Sequence, residues 1–461
     1  MTEPRETDTD TSDDDFQLSK QDVEAIDKAI DEGDGAALDT LLEPTHAADI
    51  ADLIEQLNPS RRREFLKLYS GEIDGDILSE IDEGVRDEVI EQLPREVLAE
   101  AVREMDSDDV VDLIEDMDAP EREEILSALD ESDRAAVEQS LTYPEYSAGR
   151  LMQSEVVTAP EHWTVGETID FLRREEWLPD QFYHVILVDP RRHPIGYVTL
   201  GKLLASRREV ALRDITEDSF RTISVLQDEG DVAHAFNKYH LISAPVVDEH
   251  DRLVGVITID DAMSVLDEEH EEDILRLAGV GDESSITDSV IETMRQRVPW
   301  LGINLITALL ASSVVALFEN AIARLVALAV LMPIVASMGG NAGTQTLTVA
   351  VRGLATRSLT RANAMRVVRR ELAVGLTNGV LFGVVLGTVT YIWFQDPKLS
   401  LVIGMAMIVN LFAAALGGIL IPLGLEKAGA DPALASGTFV TTVTDVLGFF
   451  TFLGLATAIL L

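Results

Sequence analysis

Cysteine is absent from the 461 residues, which excludes disulfide bonds and thiolate chemistry. The sequence also contains no phosphate-binding P-loop and no G-x-S-x-G nucleophile motif, and none of its eight histidines forms a metal-binding pair on one helix. These absences indicate that the chain is not an enzyme. The acidic start, Met1 to Asp15, has neither the basic segment nor the apolar run of a signal peptide, so we expect no targeting peptide there.

Basic residues are scarce, with 36 Lys and Arg against 82 Asp and Glu. The imbalance lies before Pro299, where the net charge is −49, because only six of the acids and nine of the bases follow it. An extremely acidic soluble part is thus joined to a nearly neutral, apolar part. Nucleic acid is excluded as a partner, since phosphate binding needs basic patches. Two explanations of the acidity remain: halophile-like adaptation to salt, favoured by the even spread of the acids, and a surface that collects cations.

The region from about Asp22 to Ser140 has a repetitive helical pattern. Apolar residues recur at i, i+3, i+4 spacing, and residues 109–117 echo residues 48–56. Three prolines are predicted to lie at turns or in first helical turns: Pro59, Pro94 and Pro120. We therefore predict a small helical solenoid over residues 19–143, preceded by a disordered acidic tail over residues 1–18.

From about Tyr146 the pattern changes to short β runs in two similar sets. The four predicted strands are 184–189, 194–199, 244–248 and 253–258, with helices at 165–175 and 232–239. Two tandem β-α-β-β-α units result, over residues 144–207 and 208–266. They resemble a CBS-domain pair, a common regulatory module.

A possible nucleotide motif lies in the second of these units. Gly255 to Asp261 fits the G-h-h-[ST]-x-x-[DN] pattern of CBS domains, so the resemblance implies that Thr258 and Asp261 bind an adenine nucleotide such as ATP. The first unit has Lys202 where the ribose-binding aspartate would stand. The alternative interpretation is a structural turn that closes the repeat.

A connecting helix is predicted over residues 267–298, with an acidic start and an interruption near residues 279–282. Five apolar stretches then follow in the transmembrane domain, residues 299–461: 300–318, 325–351, 372–394, 399–425 and 433–461. The predicted fold class is multi-domain: an all-α helical-repeat N-domain, an α/β CBS-domain pair, a connecting helix and a five-helix all-α transmembrane domain.

Six arginines predict the orientation in the membrane. All lie between the second and third stretches: Arg352, Arg357, Arg361, Arg366, Arg369 and Arg370. Such a loop stays in the cytoplasm. We therefore expect a multi-pass protein of the plasma membrane with a cytoplasmic N-terminus and an extracellular C-terminus.

Polar residues within the apolar stretches are the candidate transport site. Pro333 and the run from Gly339 to Gln345 are predicted to break the second span, and Asn341, Thr344 and Gln345 would then line a pore. Close helix packing through small residues is the alternative. Asp445 lies well inside the last span without a basic partner in that helix, which marks a functional residue. Thr441, one turn earlier, and Asn410 on the fourth span extend the polar path.

The order of these domains, together with residues 333–345 and 431–445, resembles the MgtE family of magnesium channels over essentially the whole chain. The resemblance implies a homodimer that takes up Mg²⁺ through a pore on its two-fold axis. The implied metal residues of the pore are Asp445, Thr441 and Asn341, and the implied lining residues are Gly340, Gly343, Thr344, Gln345 and Asn410.

The resemblance also implies gating by cytoplasmic Mg²⁺ bound to the acidic N-domain, CBS pair and connecting helix. The implied ligands of this sensor are Asp261, Glu269, Glu272, Asp273 and Asp431. We expect direct coordination to outweigh long-range repulsion if the chain works in high salt. Two alternatives stay open: a secondary carrier, also for Co²⁺ or Mn²⁺, and a membrane-anchored nucleotide sensor without transport.

Overall fold

The computed structural model describes residues 18, 20–115, 117–175, 177–179, 181–217, 220–280, 290–435 and 437–461. They form two compact units, one ending at Glu268 and the other beginning at Glu269. Except for Leu18, the predicted acidic tail lies outside the described residues, and so does the part of the connecting helix at 281–289.

The first part of the chain consists of short helices joined by tight turns. They are α1 (Lys20–Glu32), α2 (Gly35–Leu42), α3 (Ala47–Gln56), α4 (Pro59–Tyr69), α5 (Gly75–Ser79), α6 (Glu83–Gln92), α7 (Arg95–Glu104), α8 (Ser107–Glu115), α9 (Ala119–Leu126) and α10 (Glu131–Ser140). Aspartates cap several of them; Asp34 and Asp74 accept hydrogen bonds from the N–H groups of Ala37 and Ile77. Pro59, Pro94 and Pro120 all lie at helix starts, as predicted.

A repeated arginine contact confirms the solenoid character of this region. Arg62 pairs with Glu88 and Arg86 pairs with Asp112, each at 2.5 Å and each across 26 residues. Helices pack on the helix two positions along, α3 on α5 and α5 on α7. One continuous apolar core runs through these helices, as expected for stacked repeats.

The two predicted β-α-β-β-α units follow. The first contains β1 (Thr158–Pro160), α11 (Val165–Leu172), β2 (His184–Val188), β3 (Pro194–Thr199) and α12 (Leu200–Ala205), and the second contains β4 (Ile223–Ser224), α13 (Glu229–Tyr239), β5 (Ser243–Val247), β6 (Leu253–Thr258) and α14 (Ile259–Ala278). In each sheet the first strand is parallel to the second and the second antiparallel to the third. Both central strands carry an irregularity at the same place, before Val188 and before Val247, which confirms the internal repeat.

The second unit of the chain contains five long apolar helices. With the short α16 (Glu319–Arg324), they are α15 (Val290–Ala316), α17 (Ala327–Ala355), α18 (Ala364–Phe394), α19 (Pro397–Ala428) and α20 (Gly437–Leu460). Within the described residues, these five are long and apolar enough to cross a membrane. Their core contains Leu331, Val335, Ile403, Met407 and Phe452.

The predicted break in the second span is wrong, because α17 continues through the glycine-rich run without interruption. Its glycines are packing positions. A Cβ atom at Gly343 would collide with Val440 of α20, and one at Gly339 would collide with the Asn410 side chain of α19. The absence of side chains therefore allows close helix contact while the helical hydrogen bonds stay intact.

Candidate functional site

A polar groove lies along one face of α17. Asn341, Thr344, Gln345 and Thr348, at i, i+3, i+4 and i+7 spacing, line an open groove of about 690 Å³ together with Val349. All five side chains are exposed. Three of the predicted pore residues, Asn341, Thr344 and Gln345, are therefore brought together. We call these five residues the polar groove.

The predicted glycines lie behind the polar groove, where α17 packs on its neighbours. Gly340 is buried, and a Cβ atom there would lie 3.0 Å from Cγ2 of Thr441 on α20. Gly343 is also buried. At the start of α20, a Cβ atom at Gly437 would lie 3.7 Å from Oγ1 of Thr344. The α17–α20 contact thus places Gly340 and Thr344 beside the segment that carries Thr441.

Asp445 and Thr441 lie one turn apart on α20. The Asp445 side chain is partly buried, and within the described part of the chain no donor group or cation contacts its carboxylate. The Thr441 hydroxyl donates to the carbonyl of Gly437 at 2.5 Å. The Thr441 carbonyl in turn accepts a hydrogen bond from the hydroxyl of Thr444 at 2.9 Å. Asp445 is therefore a charged group on α20 with unused binding capacity.

Asn410 occupies a different place from the polar groove. It is fully buried in α19, and its Nδ2 donates to the carbonyl of Val335 at 2.7 Å. Cβ atoms at Gly339 and Gly448 would both meet its amide group, so two glycines form the slot that holds it. This position indicates a role in joining α17, α19 and α20.

Three aspartates of the first unit lie close together: Asp108, Asp109 and Asp261. We call them the acidic cluster. The carboxylate of Asp261 accepts hydrogen bonds from Oγ1 and N of Thr258, at 2.5 and 3.3 Å, which caps the start of α14. Asp108 of α8 lies within hydrogen-bonding reach of Asp261, and Asp109 is close enough to interact with it electrostatically. The two residues predicted as a nucleotide pair therefore bind each other, and Asp261 also meets the helical domain.

Burial raises the pKa values of these carboxyl groups. The pKa of Asp109 is raised to about 7 by burial and then by the neighbouring charges of Asp261 and Asp106. The pKa of Asp261 is raised to about 6, again first by burial, with Asp260 adding to it. Asp108 is buried and its Oδ2 has no hydrogen-bond partner among the residues that the structure describes, which is costly for an anion. A cation would relieve this cost.

Sequence reasoning identified Asp261 but missed Asp108 and Asp109. Asp109 begins the segment 109–117 that echoes residues 48–56, and the Asp-Leu-Ile-Glu run shared by the two segments aligns it with Asp49, which also lies in the first turn of its helix; Asp108 directly precedes that segment. The signal for a site was the presence of two adjacent aspartates, Asp108 and Asp109, in the first turn of α8. A single acid there is enough for a favourable interaction with the helix dipole, so the second acid called for another explanation.

A cleft lies between the two β-α-β-β-α units. It measures about 310 Å³, is open to solvent and is lined by Gln153, Glu155, Val156, Val157, Phe182, Tyr183, His184, Ile186, Ser243, Val256 and Thr258. His184 Nδ1 contacts Ser243 Oγ, which links β2 to β5 across the cleft. The arrangement combines aromatic and hydrogen-bonding groups, as small-molecule sites do. Thr258 belongs to this lining, whereas Asp261 does not.

The remaining predicted sensor residues lie in the second unit. Arg276 Nη1, near the end of α14, contacts Asp431 Oδ2 at 2.6 Å and Glu272 Oε2 at 2.8 Å. The pKa of Asp273 is raised by burial and by the charge of Asp431, while Arg276 acts in the opposite direction. Glu269 is exposed one turn earlier. Glu272, Asp273 and Asp431 are therefore gathered around an arginine.

Within the described residues, no group of three or more acidic or histidine side chains is already arranged to hold a metal ion. The acidic cluster nevertheless fits Mg²⁺ chemically, because this ion keeps several waters and is held by one or two carboxylates. Asp108 and Asp261 could serve in this way.

Comparison with known protein families gives three matches along the chain. A divalent cation transporter family, MgtE, matches residues 332–455. The MgtE intracellular N domain matches residues 45–146, and CBS domains match residues 148–209 and 212–268.

Individual relatives agree with these matches. The chain is 31% identical over 323 residues to the magnesium transporter MgtE of Bacillus subtilis, covering 70% of this chain and 72% of that protein. It is 34% identical over 328 residues to the magnesium transporter MgtE of Thermus thermophilus, covering 71% and 73%. The crystal structure of the cytosolic domain of the Mg²⁺ channel MgtE in complex with ATP is similar over 53% of this chain and 99% of that one, with 29% identity and a TM-score of 0.49.

Proposed function

Because the chain belongs to the MgtE family of divalent cation transporters, we propose that it takes up Mg²⁺ as a homodimer and is regulated by cytoplasmic Mg²⁺. It is a multi-pass membrane transporter with five apolar helices, not an enzyme. Beyond this family membership, we propose a conduction path, a set of regulatory residues, a dimeric state and an orientation in the membrane.

The polar groove is the observation that carries the proposal. Amide and hydroxyl groups exposed on a membrane-spanning helix are costly against lipid, so such a face lies against protein or water. A second copy of the chain, with its own polar groove, would enclose a hydrated path between the two α17 helices. Asn341, Thr344 and Gln345 would line this path.

Asp445 would supply the negative charge for the ion. Two copies related by a two-fold axis would present two carboxylates, which can hold Mg²⁺ through its bound waters without stripping them. Thr441, one turn away and beside Gly340, would continue the path toward the start of α20.

Mg²⁺ influx into liposomes tests this role. Asp445→Asn keeps the side-chain size and removes the charge, so we expect influx to fall about tenfold or more, equivalent to ~1.4 kcal/mol of lost ion stabilisation. An indicator dye inside the liposomes reports the influx. Glu426→Gln, which removes an exposed carboxylate of the same half of the chain, should conduct like the parent. Normal influx by a well-folded Asp445→Asn protein would refute the role of Asp445.

The same liposomes separate a channel from a secondary carrier. A channel needs only the Mg²⁺ gradient, whereas a carrier needs a second ion moving in exchange. We expect influx to be unchanged when Na⁺ and proton gradients are removed. Influx that stops without one of these gradients would favour the carrier. Competition by Co²⁺ and Mn²⁺ in this assay measures selectivity.

We propose that the acidic cluster is part of the regulatory sensor. Asp108, Asp109 and Asp261 carry charges that burial makes costly, and Mg²⁺ bound between α8 and the start of α14 would offset that cost. Since Mg²⁺ would bind best when these segments are together, it would shift the population toward that compact state. Protease protection of the full-length protein should therefore rise with Mg²⁺.

Asp261→Asn should weaken this protection, with an increase of about tenfold in the Mg²⁺ concentration required. Glu121→Gln, an exposed acid on α9, is the matched control and should behave like the parent. An unchanged Mg²⁺ dependence in Asp261→Asn would remove the acidic cluster from the sensor.

Glu269, Glu272, Asp273 and Asp431 are proposed as a second regulatory group. Arg276 already contacts Glu272 and Asp431, so part of their negative charge is balanced by a residue of the chain itself. Mg²⁺ would add to this group or compete with the arginine for it. Arg276→Gln should change the Mg²⁺ dependence of influx, and an unaltered dependence would exclude competition.

We propose that the cleft between the β-α-β-β-α units binds an adenine nucleotide such as ATP. The cleft is open to solvent, and Tyr183, His184, Ser243 and Thr258 offer stacking and hydrogen bonds to a bound base or ribose. Calorimetric titration with ATP tests this. Ser243→Ala should weaken binding, while Ser224→Ala, on the neighbouring strand β4, should not.

Orientation is testable because the chain contains no cysteine, so each introduced cysteine is unique. We propose that Ser358 in the α17–α18 connection faces the cytoplasm and that Leu461 is extracellular. In intact cells, a membrane-impermeant maleimide should label Leu461→Cys and leave Ser358→Cys unlabelled. The opposite pattern would invert the proposed topology.

A further inference from the structure

The strongest basic surface of the chain lies between α17 and α18. Six of the nine basic residues that follow Pro299 fall in residues 352–370, and all six side chains are exposed. We call Arg352, Arg361, Arg366, Arg369 and Arg370 the arginine array. The proposed transport function uses these residues only to orient the chain.

The segment that carries the arginine array has a defined structure. Leu359 is buried against Ala350 and Ile419, which anchors the connection to α17 and α19. Asn363 Nδ2 donates to the carbonyl of Ser358 at 2.7 Å, and Asn363 Oδ1 accepts from the N–H of Thr360 at 2.8 Å. The arginines therefore project from a fixed backbone.

Among the described residues of the second unit, the arginine array has no acidic partners. Several arginines of the first unit, by contrast, are paired: Arg62, Arg86 and Arg150 each contact a carboxylate at 2.5 to 2.7 Å. Guanidinium groups bind phosphate through two parallel hydrogen bonds, so a phosphate-bearing ligand matches this surface.

The position of the array along α18 selects the kind of phosphate. Arg366, Arg369 and Arg370 have i, i+3, i+4 spacing and lie on one face of the helix. Leu372 starts the uninterrupted apolar part, roughly 9 Å beyond Arg366 and roughly 3–4.5 Å beyond Arg370 and Arg369 at 1.5 Å per residue. The headgroup layer on each side of a bilayer is about 5–8 Å thick. The guanidinium groups therefore reach the depth of lipid phosphates.

We propose that the arginine array is a binding site for the phosphate groups of anionic lipids. Juxtamembrane arginines attract such lipids in an additive manner. Bound lipid would fix the α17 and α18 ends and stabilise the transmembrane helices. The inference depends neither on Mg²⁺ transport nor on which side of the membrane the loop faces.

Thermal unfolding of the full-length protein in nanodiscs tests the site. We expect phosphatidylglycerol to raise the Tm relative to pure phosphatidylcholine by about 5 °C, since a ligand of the native state stabilises it. Arg366→Gln/Arg369→Gln should lose most of this increase. The matched control Arg324→Gln/Lys398→Gln removes two exposed charges from the end of α16 and the start of α19 and should keep the increase.

Native mass spectrometry provides a readout that does not depend on stability. The parent and the control should retain phosphatidylglycerol after detergent exchange, and Arg366→Gln/Arg369→Gln should retain less. Equal retention by all three proteins, or equal loss of the Tm increase in both variants, would overturn the site. Inorganic phosphate added to the parent in phosphatidylcholine should not raise the Tm; an equal increase would overturn the lipid assignment in favour of a soluble phosphate.

Discussion

At the scale of single residues, burial decides how the aspartates near α14 behave. Asp109 has a pKa raised to about 7 and Asp261 a pKa raised to about 6. In the unfolded chain both would titrate near pH 3.9. The folded protein therefore binds these protons more tightly. Their stabilising effect is complete below about pH 4 and is lost as the pH rises through 6 to 7.

Asp109→Asn should accordingly stabilise the full-length protein in Mg²⁺-free buffer at pH 8. The amide carries no charge, so the variant avoids the cost of a partly buried carboxylate beside Asp261. We expect its Tm to exceed that of the parent by about 2–4 °C at pH 8 and by much less at pH 5. Differential scanning calorimetry measures both.

The control for this prediction is Glu121→Gln, which should show no pH-dependent difference from the parent. Saturating Mg²⁺ should narrow the gap between the parent and Asp109→Asn at pH 8, because the ion balances the same charge. A gap that is equal at both pH values would show that the effect is unrelated to this titration.

At the scale of helices, glycine spacing controls the packing in the membrane. Gly375, Gly379, Gly383 and Gly387 recur every four residues along α18 and meet the backbone or small side chains of α19. A Cβ atom at Gly383 would lie 2.8 Å from the carbonyl oxygen of Gly404. Contacts this close leave no space for a side chain.

Gly383→Leu should therefore destabilise the transmembrane domain. Forcing a side chain into a tight contact costs about 1–3 kcal/mol, which lowers the Tm by several degrees in detergent. Gly424→Leu is the control, because nothing lies within 4 Å of a Cβ atom at that position. An equal loss of Tm in both variants would indicate that the α18–α19 contact at Gly383 is not responsible, since leucine has a higher helix propensity than glycine at both positions.

The five apolar spans and four of the six strands were predictable from the sequence, but partners across the fold were not. Apolar run length located the five spans, and alternation located the strands. The glycine-rich run of α17 is ambiguous in sequence, because glycine can either interrupt a helix or allow a neighbouring helix to pack closely against it. Only the positions of Val440 and Asn410 decide between them.

In the candidate sites, too, neighbours along one helix were predictable, whereas neighbours brought together by tertiary packing were not. Asn341, Thr344 and Gln345 were predictable as one surface because helical spacing alone places them together. The sequence could not show that Asn410 is buried away from this surface, because its burial depends on how α17 and α20 pack around it. Likewise, no periodicity connects Asp261 with Asp108, which is 153 residues earlier and reaches it through tertiary packing.

At the scale of the whole molecule, a net charge of −46 raises the question of how Mg²⁺ is sensed among so many acids. Long-range repulsion acts over about 10 Å in 0.1 M salt but only about 3 Å in 1 M salt. Direct coordination acts at about 2 Å and is much less affected. High salt therefore distinguishes the two mechanisms.

Mg²⁺ should still protect the full-length protein from protease in 2 M KCl. If specific carboxylates bind the ion, the Mg²⁺ concentration for half-maximal protection should rise when KCl increases from 0.2 to 2 M, while the maximal protection stays the same. KCl alone should give little protection, because K⁺ cannot bridge Asp108 and Asp261 as a divalent ion does. Full protection by KCl without Mg²⁺ would mean that screening of the overall charge controls the compact state, and the acidic cluster would then be only part of the salt-adapted surface.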